Sequence, residues 1–120
     1  MKSTHNISIL ALAHVGDAVY ELMVRARLVE SAPTAKLLHA AAVDQVNASR
    51  QAVAARSLQK HFTQEESNVF RRGRNAKMTN IPKSAEPEDY QLATALEAVF
   101  GWLYLSSNQT RLNELMDLIV

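Results

Sequence analysis

An all-α fold of about five helices, forming a single domain over residues 1–120, is what this sequence predicts. Three observations carry that expectation. Alanine is abundant and aromatic residues make up only 6% of the chain, which favours closely packed helices over a β-sandwich. There are only three glycines and three prolines, so long helices are allowed and turns are few. Two long apolar stretches, Ile7–Glu30 and Ala93–Leu105, contain no proline, and no segment shows the period-two alternation of a strand. An apolar fraction of 48% is ample for one core.

The first stretch, ISILALAHVGDAVYELMVRARLVE, reads as a helix buried on most of its surface, capped by Asn6 or Ser8 and ended before Pro33. His14, Asp17, Glu21 and Arg25 fall on one stripe of it at helical spacing. Gly16 sits in its interior, at a cost of about 0.5–1 kcal/mol relative to alanine, as close approach of another backbone or of a ligand would require. Thr34 to about Lys60 is a second long helical region with Thr34 at its start. Its apolar face is Leu37, Leu38, Ala41, Ala42, Gln45 and Val46, continued more weakly by Ser49, Ala52, Val53 and Arg56.

Thr63 and Glu66 have the spacing of a capping box. They open a short helix from Gln64 to about Arg72, with Val69 and Phe70 inward. Gly73 to Lys77 and then Met78–Pro87 form the longest irregular segment. Glu86–Asp89 place negative charge where the next helix begins, as its dipole favours. That helix runs to about Leu105, and Thr110–Val120 is a final amphipathic one. The apolar faces of the first and last helices exceed what a five-helix monomer can cover, so a dimer is expected.

The net charge of +1 says nothing of partners, but its distribution does. Arg71, Arg72, Arg74, Lys77 and Lys83 lie between Glu66 and Glu86 with no acidic residue among them. Arg71, Arg72, Arg74, Asn75 and Lys77 suit contacts to nucleic-acid phosphates, with Gly73 and Asn75 letting the backbone turn. A solvated loop is the plain alternative. There is no cysteine, hence no disulfide and no thiolate metal site. The N-terminal MKSTHNIS lacks the features of a secretory signal, and no apolar run reaches the roughly 18–20 residues of a membrane span. The expected location is the cytoplasm.

Asp17 and Glu97 are the residues that demand explanation. Glu97 is the only charge between Asp89 and Arg111. Lone carboxylates on apolar helices need partners. Either each is ion-paired, or both share one cation. Asp17 and Glu97, with Glu21 a further candidate ligand one turn on, would suit Mg²⁺, a hard ion that keeps several waters. Such a site hydrolyses phosphodiesters. The structural alternative pairs Asp17 with His14 and Glu21 with Arg25.

These segments carry a resemblance. Val15-Gly-Asp-Ala-Val-Tyr-Glu21 is similar to the signature helix of the ribonuclease III catalytic domain, and Thr94-Ala-Leu-Glu-Ala-Val-Phe-Gly101 to its second acidic helix. Arg72-Gly-Arg-Asn-Ala-Lys77 and Leu38-His-Ala resemble the Mini-III branch, a catalytic domain without a double-stranded-RNA-binding domain. The resemblance implies a ribonuclease III-like helical bundle. It implies a homodimer whose valley holds an RNA duplex, and Mg²⁺-dependent cleavage leaving 5′-phosphate and 3′-hydroxyl ends. It also implies a role in maturing the large-subunit ribosomal RNA precursor. Asp17 becomes the signature-helix acid and Glu97 the principal metal ligand, with His39 and Tyr90 as candidate neighbours. Two acids of the full-length pattern are replaced, by Ala13 and Thr94. The thin acid set motivates a rival reading, a non-catalytic RNA-binding or ribosome-associated module of the same fold. A helix-turn-helix DNA binder is weaker, because no short polar recognition helix is present.

Overall fold

Six α-helices and one 3₁₀ turn build the described part of the protein in a computed structural model, which describes residues 6–78 and 80–120. The leader segment judged from residues 1–8 falls largely outside them. The helices are α1 (Ile9–Leu28), α2 (Ala35–Gln45), α3 (Ala48–Leu58), α4 (Gln64–Arg74), α5 (Pro87–Leu105) and α6 (Gln109–Asp117).

Local chemistry sets most of the starts. Ser8, Thr34, Asn47, Thr63 and Asn108 each accept a hydrogen bond from the backbone N–H three residues on, a cap worth about 1 kcal/mol. Thr63 and Glu66 complete the expected capping box. Helix α5 starts differently. Pro87, expected in the irregular segment, is its first residue, and Glu88 and Asp89 occupy the first turn.

The region from Thr34 to Lys60 is two helices rather than one. Asn47 makes the break, because its side chain serves both ends. Its Oδ1 accepts from Arg50 N at 2.9 Å to start α3, while Nδ2 donates to the carbonyls of Val43 and Asp44 at 3.0 and 3.3 Å to close α2. The break resets the helical phase. Of the four residues expected inward, Ala52 is buried but Ser49, Val53 and Arg56 are exposed, and Gln51, Ala54, Ala55 and Leu58 are buried instead.

Helix α5 is the axis of the molecule. It packs against α1, α3, α4 and α6. Leu96, Val99 and Phe100 are wholly buried, each contributing about 1.5–3 kcal/mol. Helix α1 crosses it at Gly16 and Gly101. A Cβ on Gly16 would collide with the carbonyl of Glu97, and one on Gly101 with the carbonyl of Leu12. Gly73 likewise brings α4 against α5, where an added Cβ would lie 2.8 Å from Ala95 Cα. Gly73 is therefore a buried helix contact and not a turn toward a nucleic acid. Helix α6 is clamped by Arg111. Its Nε and Nη2 donate to the two Glu66 carboxylate oxygens at 2.8 and 2.9 Å, and Nη2 also to the carbonyl of His61 at 2.7 Å. No described helix is long and apolar enough to cross a membrane.

Candidate active site

The α1–α5 crossing decides where the two acids lie. Asp17 follows the glycine that lies against the Glu97 carbonyl, so a close approach of α1 to α5 sits beside both acids. They open into one pocket of about 290 Å³, shared with His14, Lys77, Tyr90 and Thr94. Neither acid forms an ion pair among the described residues. The pairing of Asp17 with His14 is absent, and the two carboxylates face each other instead.

Their environments differ, and not as the sequence suggested. Asp17, read as the acid in an apolar surround, is exposed, while Glu97 is half-buried. Burial pushes the Glu97 carboxyl up to about 8. A hydrogen bond from Gln51 opposes the rise; the Asp17 charge, and Asp17 as acceptor for the protonated Glu97, add to it. The nearby charge also reaches Tyr20, whose hydroxyl is pushed up to about 12, first by burial and then by Glu97.

Glu21 stands apart. It accepts from Arg25 Nη2 at 3.1 Å and does not line the pocket. His39 is exposed on α2 and also absent from the pocket, whereas Tyr90 lines it. The basic residues divide. Lys77 stands beside the acids. Arg71, Arg74 and Asn75 line a different hollow of about 440 Å³, which Phe62 and Phe70 also line. Arg72 is exposed near the end of α4, which runs on through Gly73 to Arg74.

Gln51 is the residue the sequence reading missed. Its Nε2 donates to Glu97 Oε2 at 3.2 Å from α3, and it is 4% exposed. The signal was available. Gln51, Ala55 and Leu58 share one helical stripe, and a glutamine on a buried stripe needs a partner. Reading the helix as continuous through Asn47 put that stripe outside.

Comparison with known proteins places the chain in a family. A model of the ribonuclease III domain matches residues 10–108. The Mini-ribonuclease 3 of Clostridium tetani is 39% identical over 113 residues, covering 92% of this chain and 75% of that protein. The chain belongs to the Mini-III branch of the ribonuclease III family. Other Mini-III relatives are similarly near. That of Symbiobacterium thermophilum is 44% identical over 90% of this chain and 84% of its own length. That of Enterococcus faecalis is 37% identical over 98% and 91%. A crystal structure of a Fusobacterium nucleatum protein has the same fold at 27% identity. The TM-score is 0.89, covering 100% of this chain and 98% of that one. As a Mini-III family member, the chain is an endoribonuclease.

Proposed function

We propose that this protein is a Mg²⁺-dependent endonuclease for double-stranded RNA, acting as a homodimer in the cytoplasm on the large-subunit ribosomal RNA precursor. The observation that carries the reading is the pairing of Asp17 with Glu97 in one pocket beside Lys77, with no ion pair satisfying either acid among the described residues.

The donor set fits a hard divalent cation. It offers carboxylate oxygens and no nitrogen or sulfur cluster. Among the described residues no group of three or more metal-ligating side chains exists. Two carboxylates suit Mg²⁺, which keeps several waters and takes further oxygens from a phosphate. When bound, the ion supplies a more acidic water and offsets charge that develops on the phosphate.

The chain's own residues do the rest. Asp17 and Glu97 would hold the cation, and Glu97 would have to give up its proton to do so. Lys77, which lines the same pocket, would offer its ammonium to a non-bridging phosphate oxygen. Hydrolysis forms a bond from water oxygen to phosphorus and breaks the bond to the 3′ oxygen; the water releases one proton to solvent and the 3′ oxygen takes one up, leaving as a hydroxyl. Arg71, Arg72, Arg74 and Asn75 bind other backbone phosphates. Contacts of that kind position a duplex without reading its sequence, and A-form RNA is recognised mainly by shape, phosphates and 2′-hydroxyls. Affinity therefore falls steeply with salt.

The test is incubation of long duplex RNA and Mg²⁺ with the protein and with Asp17→Asn. The expected result is cleavage by the first and a loss of roughly 100-fold or more in the second. Equal cleavage by both would place the chemistry elsewhere. Binding without cleavage by either would favour the non-catalytic module.

A further inference from the structure

We propose that Gln51 is a positioning residue: from α3 it fixes the Glu97 carboxylate in the orientation in which that group and Asp17 together take a divalent cation. The inference rests on the reading of Asp17 and Glu97 as the cation site. It concerns a third helix, which the acid pair does not itself involve.

The argument begins with cost. Gln51 is 4% exposed and shares its stripe with Ala55 and Leu58, both fully buried. A buried amide is unfavourable unless its polar atoms are satisfied, and a leucine would fill such a position without that demand. The partner that satisfies Gln51 is Glu97 Oε2, at 3.2 Å. The bond joins α3 to α5 across 46 residues of sequence, so tertiary packing and not local geometry creates it.

The chemistry of the donor matters as much as its place. A lysine or arginine at 51 would pair with Glu97, cancel its charge and compete with a cation. A neutral amide restrains the carboxylate by one oxygen and leaves its charge in place. Glu97 has several rotatable bonds of its own, and one fixed oxygen limits how the other can turn. Carboxylates that ligate metals are commonly held this way by a further hydrogen bond, and removing the holder costs roughly 10–100-fold in affinity or activity. The α1–α5 crossing fixes the backbone under Asp17 and Glu97, whereas Gln51 fixes the end of the longer side chain.

The experiment uses the full chain and two readouts. Mn²⁺ alone is titrated into the protein and free ion followed by electron paramagnetic resonance. Separately, the Mg²⁺ concentration for half-maximal cleavage of duplex RNA is measured. In Gln51→Met, similar in volume but with no donor, Mn²⁺ affinity should fall roughly 10-fold and the Mg²⁺ requirement should rise by a similar factor. Cleavage should recover as Mg²⁺ is raised, with the KM for RNA unchanged. A merely structural role lowers the melting temperature and leaves Mn²⁺ affinity alone, which would overturn the proposal. If Gln51→Met does not fold, Gln51→Asn, one methylene too short to reach Glu97, gives the same reading. Asp17→Asn and Glu97→Gln are run alongside. If both bind Mn²⁺ like the unaltered protein, the cation-site reading falls and the proposal with it. If both lose Mn²⁺ while the Gln51 variants keep it, the positioning role alone is refuted.

Discussion

Glu97 is held in a protonation state that the unfolded chain would not share at neutral pH. Its carboxyl is raised from 4.5 to about 8, by burial above all. Between those values the folded protein keeps a proton that the unfolded one has released, so stability must fall as pH rises through that window. Without metal, the melting temperature is therefore expected to drop between about pH 5 and pH 8. Glu97→Gln should flatten that slope, raise the melting temperature at the alkaline end and abolish cleavage. An unchanged slope in scanning calorimetry would mean that another group carries the proton. Added Mg²⁺ should recover stability at about pH 8 by displacing the proton. At this scale the sequence was informative because the signal was one residue type out of place. Glu97 is the only charge between Asp89 and Arg111, and that needs no coordinates to notice. Which acid was buried did need them. Asp17 lies on the α1 surface that faces the pocket mouth, and helical period alone does not say where along α5 that surface falls.

At the scale of elements, the site depends on how near α1 comes to α5. Gly16 and Gly101 remove the side chains that would hold the helices apart. Gly16→Ala is expected to cost about 3 kcal/mol or more, since backbone on a buried helix must shift to admit the methyl. It should also lower cleavage, measured well below the melting temperature, by more than the unfolded fraction explains, because Asp17 moves relative to Glu97. Urea denaturation followed by circular dichroism gives the first quantity and a duplex-cleavage assay the second. A variant as stable and active as the parent would show that the crossing can relax without moving the acids. The helix caps were legible because a cap is a three-residue interaction. Asn47 was not, because an asparagine that serves two helix ends resembles one polar residue on a continuous helix. That one misreading turned α3 over and hid Gln51. The basic segment was misplaced for a related reason: Gly73 looked like a turn, yet it serves the packing of α4 on α5, so Arg71 and Arg74 project from a helix away from Lys77.

At the scale of the whole molecule, an apolar face along α1 is left uncovered among the described residues. A groove of about 780 Å³ runs along α1 past Val15, Ala18 and Leu22 to Tyr104. Leu22 is 66% exposed and Tyr104 51%. A second copy is the occupant we expect, and His14 lines both this groove and the acid pocket, so a partner seated there would adjoin the site. Sedimentation should give a dimer at micromolar concentration. Leu22→Glu should give a monomer with unchanged helix content and little activity on duplex RNA, because burying an unpaired carboxylate at the interface is unfavourable. A monomeric parent protein that cleaves duplex RNA would refute the shared valley.

By itself the sequence determined the helical class, most helix starts and the identity of the two acids. Those depend on residue type and on spacings within a few turns. Tertiary structure decided that Asp17 and Glu97 share a pocket, that the arginines part from Lys77, and that Gln51 reaches Glu97. Each of these joins or separates groups by the phase and approach of packed helices. A single residue, Asn47 at a break or Gly16 at a crossing, resets that geometry for everything beyond it.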